Sequence, residues 1–191
     1  MSIIYGERVR LRAVERTDLP KFFEWVNDPE VTLGLGMYLP MSNADEEKWF
    51  EGAQTRDANE KPLAVEIKEG DGSAAGVVPP GWKLIGSCGV FGIEWVNRSA
   101  ELGILIGDKS IWNKGYGTEV MRLLLRHGFE TLNLNRLFLR VYAANARAFR
   151  AYVKAGFVEE GRMREGVFKN GRYDDIIVMS VLRSEWKTQE S

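Results

Sequence analysis

The hexapeptide Asn113-Lys114-Gly115-Tyr116-Gly117-Thr118 has the residue types to hold an anion. It follows an apolar run that ends at Ile106 and precedes a segment with helical patterning. A strand that stops in such a loop and opens a helix leaves several backbone N–H groups unpaired and pointing one way. The helix dipole adds partial positive charge there. A phosphate or pyrophosphate is the group such a junction attracts. Gly115 and Gly117 carry no Cβ, so the backbone can close on the anion or turn with positive φ. The plainer reading is an ordinary loop whose glycines only serve the turn. Two nucleotide motifs fit poorly. A P-loop needs Gly-x4-Gly-Lys-Ser/Thr, and here Lys114 precedes Gly115. A dinucleotide fingerprint needs a third glycine where Val120 stands, and it belongs after a first strand, not this late in the chain.

Other chemistries are bounded by composition. Cys88 is the one cysteine and His127 the one histidine, so neither a disulfide framework nor a Cys/His zinc site is available. Cys88, on a strand between glycines, reads as a small core residue rather than an acyl carrier. His127, on a helix, reads as a packing residue. The net charge of −1 gives no basic field for nucleic acid. The chain holds no long apolar run, so no membrane span is expected, and its N-terminus is too polar for a signal peptide. A cytoplasmic protein is expected. With 191 residues, 45% of them hydrophobic, the chain can bury the core of one domain spanning 1–191.

The elements that must position the hexapeptide follow from periodicity. In Glu7 to Ala13 the residues Val9, Leu11 and Ala13 alternate with Arg8, Arg10 and Arg12, as in a half-buried strand. Phe22, Phe23, Trp25 and Val26 predict a short helix that ends near Asp28-Pro29. Ser42 with Asp45 three residues later predicts a capping box and a second helix to about Thr55. Between these helices the greasy loop Thr32 to Met41 reads either as a core cover or as a pocket wall. Leu63 to Lys68 alternates as a strand, Glu69 to Gly81 reads as a loop, and two further strands lead to Ile106. Val120, Leu123, Leu124, Phe129 and Leu132 form the apolar stripe of a helix. Arg136 to Tyr142 is a strand, and a helix then runs from Asn145 to a C-terminal Gly156. Asn170-Gly171 marks a closing hairpin. The order is β-α-α-β-β-β-α-β-α-β-β. It predicts an α/β (α+β) domain with a mixed sheet of about seven strands and about four helices.

Two segments carry a family likeness. "AELGILIGDKSIWNKGYGTEVM", followed after a strand by "NARAFRAYVKAGF", resembles the GCN5-related N-acetyltransferase (GNAT) superfamily. Within it the chain resembles the RimJ/RimL-type branch. The superfamily's loop is Gln/Arg-x-x-Gly-x-Gly/Ala; Trp112 takes its first position, and Gly115 and Gly117 match. Asn145, Ala148, Tyr152, Lys154, Gly156 and Phe157 meet the second motif. The opening "RVRLRAVERTDL" and the ending "NGRYDDIIVMSVLRSEW" are also similar, so the likeness spans nearly the whole chain.

The likeness implies direct transfer of an acetyl group from acetyl-CoA, as cosubstrate, to a primary amine. It also implies that the strand Leu102 to Ile106 splays from its neighbour Arg136 to Tyr142. CoA's pantetheine arm would then pair with free backbone groups of Ile104, Leu105 and Ile106, as an added strand does. An N–H of Leu105 or Ile106 would face the thioester oxygen. The diphosphate would lie on the amides of Asn113, Lys114, Gly115, Tyr116, Gly117 and Thr118, with charge from Lys114 and a hydrogen bond from the Thr118 hydroxyl. Tyr152, a phenol of pKa about 10, would protonate the leaving thiolate or else serve as a core residue. Asn145 would bind the pantetheine amide, cap its helix, or do both. Glu101 is the best placed carboxylate for a general base; the alternative is an ion pair with Arg136 or Arg140. Asp174-Asp175 could line the amine site or simply end strands at the surface. The branch implies a protein N-terminal amine as acceptor, and it also holds enzymes for polyamines, amino acids and antibiotics. Asp45, Glu46 and Glu47 would suit a polyamine, though acids in a first turn also serve the helix dipole. No metal is called for, and a homodimer through the hairpin edge is left open.

Overall fold

In the computed structural model residues 3–68 and 81–186 are described, so most of the loop read at Glu69 to Gly81 lies outside them. Among the described residues eight strands form one sheet in the order β1-β2-β3-β4-β5-β6-β8-β7. They are β1 (Ile4–Tyr5), β2 (Val9–Ala13), β3 (Leu63–Lys68), β4 (Trp82–Glu94), β5 (Ser99–Ile106), β6 (Arg136–Tyr142), β7 (Val158–Lys169) and β8 (Arg172–Leu182). Four α-helices among the described residues accompany them: α1 (Leu19–Val26), α2 (Asn43–Gln54), α3 (Tyr116–Arg126) and α4 (Ala146–Ala155). The order expected from periodicity is present, with one addition. The two-residue β1 pairs Ile4 with Leu11 and Tyr5 with Arg10, and is too short to show alternation.

The sheet separates two cores, and the period of two along each strand decides which core a residue joins. Val65 and Ile67 of β3 pack with Met121, Leu124 and Phe129 below α3, while Ala64 joins Phe22 and Trp25 of α1 on the other face. In β5, Ile104 and Ile106 face the first core and Leu105 the second. Helix ends follow their caps. Ser42 and Asp45 form the reciprocal capping box of α2. Asn145 caps α4, its side-chain oxygen accepting from the Ala148 N–H at 3.1 Å. α4 stops at Gly156, whose φ of +107° suits glycine. Asn170 and Gly171, at φ +52° and +79°, make the two-residue turn that links β7 to β8.

The pairing of β5 changes along its length. It is antiparallel to β4 along Glu101 to Ile106 but parallel to β6 only at Ser99, Ala100 and Glu101. Beyond Glu101 the two strands diverge, and the edges of Leu102–Ile106 and Leu139–Tyr142 that face each other are unpaired. Among the described residues no helix is long and apolar enough to cross a membrane.

Candidate active site

The divergence of β5 from β6 opens a cleft of roughly 440 Å³. Its floor is the backbone of Leu102–Ile106, its walls are the start of α3 and one face of α4, and Gly34 and Leu35 form its rim. It gathers Glu101, Ile104, Leu105, Ile106, Asn113, Gly115, Tyr116, Gly117, Thr118, Asn145 and Tyr152, and of the expected set only Lys114 is left outside.

Two hydrogen bonds give the pleat of β5. The Gly107 N–H donates to Ile85 of β4 at 2.9 Å, and the Ile106 carbonyl, on the opposite side, accepts from the Trp112 indole N–H at 3.0 Å. Ladder bonds alternate, so Leu105 turns its amide toward β4 while Ile104 and Ile106 turn theirs into the cleft. Of the two residues considered for facing a thioester oxygen, Leu105 is therefore directed the wrong way.

The loop before α3 leaves a run of backbone amides without acceptors. Trp112 N–H donates to Lys109 and Glu119 N–H to Gly115, and among the described residues no acceptor takes the amides of residues 113–118 between them. Asn113 and Gly115 sit at φ +65° and +86°, which bends the backbone so that these amides precede the helix start. Lys114, between these two left-handed residues, contributes its carbonyl to Arg8 Nη1 at 3.2 Å rather than its ammonium to the cleft. The Thr118 hydroxyl, expected to meet a phosphate, donates to Ala151 of α4 at 3.3 Å, because α3 and α4 pack side by side there.

The remaining candidates separate cleanly. Tyr152 faces the cleft with its ring 6.0 Å from that of Phe157, and burial pushes its phenol up to about 12. Asn145 caps α4, and its side-chain nitrogen lies so close to Gly34 that a Cβ there would approach within 2.4 Å. Glu101 is held by Arg140 through two bonds of 2.8 Å, a bidentate pair, while Arg136 pairs with Glu160 instead. Burial pushes the pKa of the Cys88 thiol up in the core and that of the half-buried His127 imidazole down, which favours the neutral form of both. Asp174 and Asp175 are not solvent-facing strand ends. They accept from the N–H groups of Ala144 and Glu165, each at 2.9 Å, and so hold the turn into α4 and a bulge of β7. Of the α2 acids, Asp45 is engaged with Ser42 and Glu47 with Arg16, and none lines the cleft.

Residues that periodicity did not single out also shape the site. Arg147 stacks its guanidinium on Trp112, 3.3 Å from the ring centroid. Lys169 donates to the carbonyls of Thr32, Leu35 and Met37 and so ties the rim loop to β7. Glu119 accepts from the backbone N–H of Arg8 and Val9 at 2.8 and 3.2 Å, which anchors α3 to β2. The spacing of Arg147 to Arg150 and Lys154 was a readable signal; nothing local marks Lys169.

The sequence and the fold are shared with known proteins. A spermidine N(1)-acetyltransferase of Vibrio cholerae serotype O1 is 30% identical over 181 residues, covering 95% of this chain and 96% of that one. YdaF of Bacillus subtilis strain 168, described as a candidate ribosomal N-acetyltransferase, is 26% identical over 185 residues and 97% of each chain. The crystal structure of spermidine N-acetyltransferase from Vibrio cholerae, in complex with CoA and spermine, superposes with a TM-score of 0.80 at 29% identity, covering 94% of this chain and 98% of that one. The acetyltransferase (GNAT) domain model matches residues 8–158, and the chain belongs to that family of N-acetyltransferases.

Proposed function

We propose that this enzyme moves the acetyl group of acetyl-CoA directly to a primary amine of a small polyamine, in the cytoplasm. The observation that carries the cofactor assignment is the run of unpaired amides at residues 113–118 beside the unpaired edge of β5. The first offers donors to a diphosphate, and the second offers backbone groups to the amides of an extended arm. Acetyl-CoA supplies an acyl carbon activated as a thioester. The Ile104 or Ile106 N–H, directed into the cleft, would donate to the oxygen on which charge develops. Tyr152 would give its proton to the departing sulfur; with its pKa pushed up to about 12 it stays protonated until needed. An alkylammonium acceptor, of pKa about 10, must lose a proton before attack. Glu101 is the cleft carboxylate within reach of that role, and it would act only when its bidentate hold by Arg140 loosens.

The polyamine acceptor is supported by the Vibrio cholerae relative and by the fold shared with the spermine-bound structure. The likeness to YdaF and to the RimJ/RimL-type branch favours a second reading, a protein N-terminal amine. A thermal shift with CoA tests the cofactor: at a hundredfold excess over Kd, binding adds about 2.7 kcal/mol of stability. Release of thiol with spermidine, but not with a peptide bearing a free N-terminus, supports the polyamine. A flat melting curve with CoA defeats the whole reading, and release with the peptide alone defeats the first acceptor.

A further inference from the structure

The phosphates of CoA carry several negative charges, and the 113–118 amides are neutral donors. The two side chains expected to assist them are directed elsewhere: Lys114 lies off the cleft wall and the Thr118 hydroxyl is taken by Ala151. Compensating charge must come from another element. α4 has it. Within Ala146–Ala155 the helix carries Arg147, Arg150 and Lys154 and no acid, in a chain whose net charge is −1. The spacing i, i+3, i+7 puts all three on one helical face, and all three line the cleft.

None of the three side chains makes a hydrogen bond or ion pair among the described residues. α4 is docked onto α3 by backbone carbonyls instead, Ala151 accepting from Thr118 and Lys154 from Arg122 at 2.8 Å. The carboxylate whose charge acts on Arg147, Glu30, is already engaged by Lys109 at 3.0 Å. Trp112 holds Arg147 by its face, and Trp112 is itself fixed by its bond to Ile106. A guanidinium stacked on an indole keeps its N–H edge free to meet a phosphate in plane. Arg147 therefore sits on the side chain of the residue that precedes the first free amide, that of Asn113. Arg150 and Lys154 follow about 4.5 and 10 Å further along the helix axis.

We infer that this face is a phosphate ladder: Arg147 shares the diphosphate with the loop amides, while Arg150 and Lys154 form a subsite for the 3′-phosphate on the ribose of CoA. The enzyme then selects CoA over dephospho-CoA, which lacks only that group. The inference rests on the proposed use of acetyl-CoA and goes beyond it, because the loop amides alone would treat the two molecules alike.

Isothermal titration calorimetry on the purified chain separates the two claims. CoA should bind roughly tenfold tighter than dephospho-CoA, the range expected for charge-assisted bonds at a partly exposed site. The ratio should shrink as salt is raised. In the double variant Arg150→Ala/Lys154→Ala, which changes two exposed side chains, it should fall toward one through loss of CoA affinity, with dephospho-CoA binding unmoved. Equal affinities for the two molecules in the unaltered chain, or a ratio that survives the double variant, overturn the 3′-phosphate subsite and leave the cofactor assignment standing. Failure of both molecules to bind overturns both.

Discussion

The two sides of the cleft are assembled over different distances along the chain. The side proposed for the cofactor has a short stretch at its centre, a strand end, a glycine loop and a helix start within residues 104–118, and α4 packs beside it. The rim loop opposite is held from far away. Lys169 reaches Thr32, Leu35 and Met37 across more than 130 positions, and Gly34 packs against Asn145. A side built from local backbone geometry is set by the residue types in one short stretch. A side built from remote contacts is set by tertiary structure and is free to differ between enzymes that share a cofactor.

Removing the proposed proton donor tests the side proposed for the cofactor hardest. Tyr152→Phe should lower kcat about 100-fold, the low end for loss of a positioned acid, and leave the Kd for CoA within a factor of two. Its pH profile adds a sign. Burial raises the phenol's pKa, so the protonated form persists above the ordinary tyrosine value of about 10. The unaltered enzyme should thus gain rate with rising pH as the amine deprotonates, with no falling limb near pH 10. Unchanged turnover in the variant would remove Tyr152 as the acid.

Legibility divides along the same line. The capping box at Ser42, the stop at Gly156 and the hairpin at Asn170-Gly171 were readable because each is a local backbone requirement written in one or two residue types. The splay of β5 from β6 was expected only through family likeness; alternation tells which face a residue takes and nothing about where a partner strand leaves. The capture of Thr118 by Ala151, the absence of Lys114 from the cleft lining and the structural work of Asp174 and Asp175 depend on which elements end up adjacent, and periodicity does not record that. The spacing of Arg147, Arg150 and Lys154 would have marked three cations on a helix face and was passed over; the seat of Arg147 on Trp112 was not legible at all.

A glycine sharpens the contrast next. Gly117 lies in the first turn of α3, lines the cleft, and would place an added Cβ in open space. For the free protein Gly117→Ala should therefore be neutral to stabilising by up to about 1 kcal/mol, since alanine is the better helix former. If a diphosphate lies against that backbone, the methyl group intrudes on it. CoA affinity should fall about tenfold while the melting temperature of the free chain holds or rises. A variant that binds CoA as well as the parent would show that the anion does not approach here.

The smallest effect tests the remote side. The Lys169 ammonium gives all its donors to the rim loop, the longest of the three bonds being 3.3 Å, and its charge also lies 5.7 Å from the Tyr38 ring. Partial burial lowers its pKa. Lys169→Met keeps the stem and removes the donors, leaving the carbonyls of Thr32, Leu35 and Met37 to water. Gly34 and Leu35 should then lose their fixed position on the rim. Because these residues line the cleft from the loop that precedes α2 and not from the 113–118 loop, the KM for spermidine should rise about three- to fivefold with the KM for acetyl-CoA unmoved, and Lys169→Arg should recover part of the loss through its own donors. A merely structural lysine would shift both constants or neither. A rise confined to acetyl-CoA would assign the loop to the cofactor side and erase the division between local and remote walls.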